Sequence, residues 1–228
     1  MQENKEEKEI TRDEIKKEFQ LERMILFSDA VFAIVITLMA IEIRLPHSEK
    51  GYQRDELAHA LVHLLPIIFA YCVSFVFIGA VWYQHLKIFS LLKDYDKGLV
   101  IRNLLLLFFV GLFPFSASII TSAKGADIAF IIYMTIILAC ITSQYILYHY
   151  VVVTRPSLRL NADMTEHVYE LKKRKFALIS FGAAAALTII SNILITDPLI
   201  RPLSTLWIAL FPIVYKLKYR NKKKQEGA

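Results

Sequence analysis

An acidic and a hydroxyl side chain lie side by side near the start of an otherwise apolar stretch. Ser28 and Asp29 follow Arg23 and Phe27 and precede the run AVFAIVITLMAIEI. A carboxylate inside a bilayer costs about 2.5–3.5 kcal/mol on insertion scales, so Asp29 needs a polar partner or water. Two roles stay open for it, a polar clamp between helices or a group on an ion or proton pathway. Ser28 and Asp29 cannot form a catalytic pair directly, because adjacent residues point ~100° apart on a helix, and we expect no enzyme.

The same stretch carries an aliphatic stripe on another face. At ~100° per residue, Ile34, Thr37, Leu38 and Ile41 share one side of a helix, and the Ser–Asp pair lies away from it. A helix of this kind can line a pore with its stripe while the polar pair anchors it in the bundle. The stripe can also face lipid or a neighbouring helix, and the helical wheel leaves both interpretations open.

The elements that carry these residues are predicted to be transmembrane helices. The chain has 228 residues, of which 56% are hydrophobic, and a mean hydropathy of +0.45, which is too apolar for an ordinary soluble domain. A lone strand cannot satisfy its backbone in lipid, so each apolar segment of about 20 residues is expected to be a helix. The sequence therefore predicts an all-α integral membrane protein with six spans, over residues 24–43, 57–89, 99–122, 128–153, 176–195 and 202–217.

Lysine and arginine residues are distributed very unevenly between the two sides of these six spans. With the N-terminus inside, all but five of the 27 fall in inside segments, which predicts that both termini are cytoplasmic and that the protein is a multi-pass protein of the cell membrane. The predicted organisation is a charged N-terminal segment over 1–22, a membrane domain over 23–217 and a basic tail over 218–228. The basic residues are expected to set topology, and no nucleic-acid partner is expected.

Metal and cofactor chemistry finds little support in the sequence. His59 and His63 have the i, i+4 spacing that can bind zinc, but no third ligand is evident, and we expect neither a metal site nor a cofactor. No Thr-Val-Gly-Tyr-Gly run occurs, so ion selectivity would have to come from side chains instead of a filter of backbone carbonyls.

The motif Arg-x-x-x-Phe-Ser-Asp over residues 23–29 resembles the signature of the transmembrane protein 175 family of lysosomal and bacterial potassium channels. The run Trp82-Tyr83-Gln84-His85 in the second segment and Asn103 with Phe113-Pro114 in the third are similar to that family as well. One departure is that a single histidine, His85, follows Trp82.

The resemblance implies a potassium-selective channel of the bacterial six-helix branch, with the first helices of four subunits lining a central pore. It implies a homotetramer in membrane lipid, with potassium and other monovalent cations as its permeant partners. Ile34, Leu38 and Ile41 would form the constriction, and Thr37 would meet the ion. The residues of a structural polar network would be Arg23, Phe27, Ser28, Asp29, Trp82, His85 and Asn103.

A proton-coupled secondary transporter, or a proton-conducting membrane protein, is the alternative interpretation. It would use Asp29 and His85 as proton-carrying groups. Transporters of this kind are typically built from inverted repeats with broken helices at mid-membrane, and the sequence shows no internal duplication. The channel is therefore the first hypothesis.

Overall fold

The computed structural model of the chain describes residues 12–41, 43–45, 52–122, 127–160 and 164–194. Apart from one isolated antiparallel bridge between Leu92 and Arg159, these ranges form helices, turns and loops, which confirms the all-α fold class. The α-helices are α1 (Arg12–Ile41), α2 (Arg54–Phe89), α3 (Lys97–Gly111), α4 (Phe113–Ser122), α5 (Asp127–His149) and α6 (Met164–Leu194).

Five helical stretches are long and apolar enough to cross a membrane, and α3 and α4 together make one of them. They correspond to the first five predicted segments. The sixth predicted span over 202–217 and the predicted basic tail lie outside the described residues, as do the first eleven residues of the N-terminal segment. The chain is accordingly a multi-pass membrane protein.

Two helices begin earlier than their apolar runs suggest. The first helix begins at Arg12, twelve residues before the predicted span, because the charged lead-in is rich in the good helix formers Glu and Lys. The charged stretch EHVYELKKRK, which precedes the predicted span over 176–195, forms the first turns of α6. That stretch contains neither Gly nor Pro to end a helix, so it continues directly into the apolar part.

The third span is broken where the sequence places Pro114. Leu112 leaves the helix with its backbone N–H shared between the carbonyl oxygens of Phe108 and Phe109, at 3.2 Å from each. A proline nitrogen has no hydrogen to donate to the carbonyl of Val110 one turn earlier, and its ring crowds that turn. The chain therefore restarts as α4 at Phe113.

The bundle is organised around α5, which packs against α2, α3, α4 and α6, while α1 packs against α2, α3 and α4. Most of the side chains at the contacts are apolar. The most deeply buried include Phe32, Ile78, Ile88, Leu99, Leu106, Val110, Phe113, Cys140 and Leu147. Many other apolar side chains face outward, as is expected for helices in lipid or at contacts between subunits.

The loops that join α2 to α3 and α5 to α6 meet at one end of the bundle. Lys93 N–H donates to the carbonyl of Leu158 at 2.9 Å, and Leu160 N–H donates to that of Leu91 at 2.8 Å. Lysines and arginines crowd this end, which we call the basic end; they include Lys87, Lys93, Lys97, Arg102, Arg155, Arg159 and Lys172 to Lys175. The two loops thus fix the relative heights of the four helices that enter them.

Asp96 holds the basic end together. Its Oδ1 accepts a hydrogen bond from the backbone N–H of Leu99 at 2.7 Å and so caps α3, while its Oδ2 accepts one from the Tyr150 hydroxyl at 2.7 Å. Arg155 Nε lies 3.6 Å from the same oxygen, and the Arg102 guanidinium lies 3.8 Å from the centroid of the Tyr150 ring. Tyr150 opens the π-helical turn Tyr150–Thr154 that ends the fourth span. We call this group the Asp96 clasp.

Candidate functional site

The two faces of α1 differ sharply in burial. The face that packs into the bundle carries Ser28, Phe32, Val35 and Met39, spaced four, three and four residues apart, and all four are buried. The opposite face is open: Ile34 is 56% exposed, Leu38 44% and Ile41 51%, and Thr37 is exposed as well. An amphipathic helix normally buries its apolar face. Here the outward stripe is also apolar, so it is available to lipid or to further copies of the chain.

Thr37 is the only hydroxyl in this stripe. Its Oγ1 lies 3.0 Å from the carbonyl of Ala33 and 2.9 Å from that of Ile34, so the hydroxyl hydrogen is used by the helix backbone. The oxygen keeps its acceptor capacity on the exposed side, where it could meet a cation. The assignment of Ile34, Leu38 and Ile41 to a pore constriction, and of Thr37 to ion coordination, stays a prediction.

A buried chain of polar groups connects three helices behind this stripe. Ser28 Oγ donates to the carbonyl of Met24 at 2.8 Å, and it accepts a hydrogen bond from Asn103 Nδ2 at 2.9 Å. The Asn103 Oδ1 lies 2.9 Å from His85 Nε2. Because serine has one hydrogen and it goes to Met24, the amide must donate to Ser28, and His85 must then donate through Nε2. These hydrogen bonds therefore all run in one donor-to-acceptor direction, from His85 on α2 through Asn103 on α3 to Ser28 on α1.

His85 is fully buried between aromatic rings. The Phe89 ring stacks on it at a centroid distance of 4.2 Å, and the Phe32 ring of α1 lies 5.5 Å away. Its second nitrogen, Nδ1, has no hydrogen-bond partner among the described residues. A neutral imidazole that donates through Nε2 carries a lone pair on Nδ1, so this atom can still accept a proton or a hydrogen bond.

Asp29 makes a separate contact with α2. The Trp82 indole Nε1 donates to Asp29 Oδ1 at 2.9 Å, and the carboxylate is half-buried at the edge of the packed face of α1. This charge-assisted hydrogen bond supplies part of what offsets a carboxylate at this depth. Ser28 and Asp29 thus have different partners, on α3 and α2 respectively.

The structure brings five of the seven residues expected in the polar network into these two sets of contacts. Ser28, His85 and Asn103 form the buried chain, and Asp29 and Trp82 form the second contact. The other two lie elsewhere on α1. Arg23 is exposed, with its guanidinium 5.9 Å from the centroid of the Phe19 ring, and Phe27 is 53% exposed. Neither reaches the buried chain within the described part of the molecule.

Further polar contacts inside the spans were not anticipated from the sequence. Gln144 Nε2 donates to the carbonyl of Val81 at 2.7 Å, and the hydroxyls of Ser74 and Tyr133 lie 3.0 Å apart. The signal for them is simply a polar residue within an apolar segment, which needs an internal partner in a membrane. Which polar groups pair with each other depends on how α2 packs against α5.

The pair of histidines near the start of α2, His59 and His63, is only partly described. His59 is exposed, and the side chain of His63 lies outside the described residues. Within the part of the chain that the structure describes, no three His, Cys, Asp or Glu side chains gather as a metal ion would require.

Comparison with known proteins was made by family and by chain. Residues 23–114 match the family model described as endosomal/lysosomal potassium channel TMEM175. A potassium channel of Chamaesiphon minutus is 32% identical over 172 residues, which cover 74% of this chain and 84% of the relative. A potassium channel of Streptomyces collinus is 30% identical over 165 residues, or 70% of this chain and 77% of the relative.

A more distant relative is the human endosomal/lysosomal proton channel TMEM175, which is 31% identical over 111 residues, or 46% of this chain and 22% of the human protein. Among solved structures, the chain is similar to a lysosomal potassium-selective channel TMEM175 homologue from Chamaesiphon minutus. The TM-score is 0.68 at 28% identity, and the match covers 87% of this chain and 97% of the other.

Proposed function

The chain belongs to the TMEM175 family, and we propose that it is a potassium-selective cation channel that conducts passively. The observation that carries the proposal is the position of the exposed stripe of α1 opposite the buried chain from Ser28 to His85. A helix anchored on one face and apolar on the other has the form that a pore-lining helix needs. The bacterial relatives named potassium channel support the choice of ion.

A single copy of α1 cannot enclose a path, so a pore lined by this helix requires several subunits. We propose a homotetramer with a central pore lined by the first helix of each subunit, as the family resemblance implies. A sixth transmembrane helix over residues 202–217 completes each proposed subunit. Closed cyclic symmetry places the same stripe of every copy around one axis, so each stripe residue becomes a ring.

Three of these rings would be aliphatic, formed by Ile34, Leu38 and Ile41. A narrow apolar ring excludes water, and an ion cannot pass until the ring widens or becomes wet. Thr37 lies one turn from Ile34 and would supply oxygen atoms to a partly dehydrated potassium ion. Selectivity in this proposal comes from side chains, since the sequence has no run typical of a carbonyl filter.

The proposed orientation places the basic end of the bundle and both termini in the cytoplasm of a cell membrane. It follows from the excess of lysine and arginine at that end. The contacts of Ser28 and Asp29 would then hold the cytoplasmic part of each pore helix in a fixed rotation, which keeps the stripe directed at the axis.

Single-channel recording in planar bilayers tests the proposal. Ile34→Asn is expected to raise the conductance by wetting the constriction, and Thr37→Ala is expected to lower the preference for potassium over sodium. Val76→Asn is a matched control, because Val76 is 69% exposed on α2 and receives the same polar change away from the stripe. Unchanged conductance and selectivity in both stripe variants would refute the assignment, as would an equal effect of Val76→Asn.

Proton conduction is a second candidate, favoured by the position of His85. The Nδ1 atom of His85 has no hydrogen-bond partner in the described part of the molecule, and His85 is the first donor of the directed series of hydrogen bonds. The human relative is named a proton channel. Liposomes loaded with a pH-sensitive dye and free of potassium would reveal a proton flux. A flux lost in His85→Gln but kept in Ile34→Asn would support a separate proton path. Flux that needs a gradient of a second ion, without single-channel steps, would indicate a transporter.

A further inference from the structure

A cavity of about 210 Å³ lies between α2, α5 and α6, away from α1 and its stripe. Its lining includes Ala80 and Ala177, which are both exposed, so the cavity opens sideways at the surface of the subunit. A space of about 10–15 Å³ on this measure holds one water molecule, so the cavity can take a much larger group. At this height the surface of the subunit meets lipid or another membrane helix.

The lining of the cavity is divided by depth. On each helix the polar lining residue lies nearer the basic end than the apolar residue does. The polar residues are Gln84 of α2, Gln144 and Tyr145 of α5 and Arg174 of α6, and the deeper apolar residues are Phe77, Ala80, Ile141 and Ala177. Gln84 lies about 7.5 Å from the end of α2, at 1.5 Å per residue, which is the depth of headgroups and the first methylenes. A phospholipid has the same order of polarity along its length.

Arg174 gives the polar part of the cavity a positive charge. Its Nη1 donates to Gln84 Oε1 at 2.9 Å, and its guanidinium lies 4.3 Å from the centroid of the Tyr148 ring. Its Nε is buried and has no hydrogen-bond partner among the described residues. Among the described residues no carboxylate lines the cavity. Glu170, one turn away, pairs with Lys173 at 3.1 Å, and its charge also acts on Arg174. An arginine with an unused donor in an apolar setting is suited to a phosphate oxygen.

The residues around Arg174 extend the same charge to the surface. Lys172, Lys173 and Lys175 are exposed, and only Arg174 of this run of four basic residues is turned into the bundle. Basic clusters at the headgroup level attract anionic lipid. We propose that this cavity binds an anionic phospholipid, with its phosphate on Arg174 and Gln84 and the start of one acyl chain between Phe77, Ile141 and Ala177.

Native mass spectrometry of the purified full chain tests this directly, without any measurement of ion flux. The wild-type protein in mixed micelles is expected to retain phosphatidylglycerol in preference to phosphatidylcholine. Arg174→Gln is expected to lower that retention about tenfold, as loss of a hydrogen bond to a charged group does. Lys175→Gln removes the same charge from the adjacent exposed position and is expected to change retention less than about twofold.

A steric variant tests the cavity itself with every charge in place. Ala177→Leu adds bulk in the apolar part of the cavity, at a position where the side chain is exposed. We expect this variant to retain less lipid. We expect the thermal midpoint of the lipid-free variant to stay close to that of the wild type. Inorganic phosphate at millimolar concentration is expected not to displace the lipid, because it lacks the acyl chain that fills the apolar half.

Four results would overturn the proposal. They are equal retention of the two lipids, normal retention by Arg174→Gln, equal losses in Arg174→Gln and Lys175→Gln, and full displacement of the lipid by inorganic phosphate. The third would indicate a diffuse basic surface, and the fourth a simple anion site. If residues 202–217 or a second subunit fill the cavity, no lipid is retained and the first result is obtained.

Discussion

Trp82 Nε1 and Asp29 Oδ1 lie 2.9 Å apart, and this hydrogen bond joins α2 to the one acidic residue between Met24 and Ile41. The bond forms one residue along from the buried Ser28, whose partner is on α3. Two adjacent positions of α1 are therefore held by two different helices. That arrangement limits both the tilt and the rotation of α1, and it does so on the side away from the exposed stripe.

Trp82→Phe keeps an aromatic ring at this contact and removes its hydrogen-bond donor. We expect the free energy of unfolding in detergent micelles to fall by about 1–2 kcal/mol, because Asp29 loses a charge-assisted partner. Tyr83→Phe is the matched control, since Tyr83 is exposed and its ring contacts Lys87 Nζ at 4.5 Å. The control should change stability by less than about 0.5 kcal/mol. Equal losses in the two variants would show that the Asp29 contact contributes nothing.

Asn103→Ala interrupts the buried chain at its centre. It leaves Ser28 without its donor and His85 Nε2 without its acceptor, so we expect a loss of about 2–4 kcal/mol in the free energy of unfolding. Ser28→Ala should cost less, and the double variant should cost less than the two single losses together, because they share one hydrogen bond.

Ser90→Ala is the control for this chain of hydrogen bonds. Its hydroxyl is exposed and donates to the carbonyl of Lys87 at 3.0 Å within its own turn. We expect a change of less than about 0.5 kcal/mol. Strict additivity of Ser28→Ala and Asn103→Ala would contradict the contact seen between them.

The helices and the two faces of α1 could be predicted from the sequence, because both follow from local periodicity and from the thickness of a bilayer. The kink at Pro114 was predictable for the same reason, since a proline acts on its own turn. The start of α6 could not be predicted. The charged stretch before Phe176 carries no hydrophobic signal that distinguishes a separate surface helix from one that continues into the apolar span.

Contacts between helices could be predicted from the sequence to a smaller degree. Asp29 could be selected from the sequence as a polar residue in need of a partner, but its grouping with Asn103, Trp82 and His85 came from the family resemblance and not from spacing. Arg174 and Gln84 are separated by 90 residues, and their contact depends on how α6 packs on α2. Charge patterning showed Arg174 only as one of four basic residues that set topology.

Gly98→Ala should disturb the Asp96 clasp through space alone. A Cβ at Gly98 would overlap the Tyr150 hydroxyl, and the end of the ring would have to move away from Asp96. We expect a loss of about 1–3 kcal/mol, the range for overpacking. Gly79→Ala is the matched control, because a Cβ there meets nothing within 4 Å, and it should be neutral or stabilise α2 by up to about 1 kcal/mol. The measurement is thermal unfolding of both variants and the wild type. A Gly98→Ala variant that is more stable than the wild type would contradict the prediction.

Asp96 should make the stability of the basic end depend on pH. Burial alone would raise the pKa of Asp96, but the hydrogen bonds from Tyr150 and Leu99 and the charges of Arg155 and Arg102 together hold it below its ordinary value of 3.8. A lowered pKa stabilises the folded state at every pH above the unfolded value, and this contribution is lost as the pH falls through the folded value. Asp96→Asn should therefore unfold at a lower temperature than the wild type at neutral pH. This difference in thermal midpoint, which we call the gap, should narrow towards about pH 3.

Asp94→Asn separates this effect from the general response of surface carboxylates to acid. Asp94 is two residues away and pairs with Lys17 at 3.1 Å on the exposed surface, so its replacement should produce a smaller gap at neutral pH. Thermal midpoints of the three proteins, measured in the same micelles across this pH range, provide the comparison. A gap between Asp96→Asn and the wild type that stays constant with pH would mean that the clasp depends on the shape of the Asp96 side chain and not on its charge.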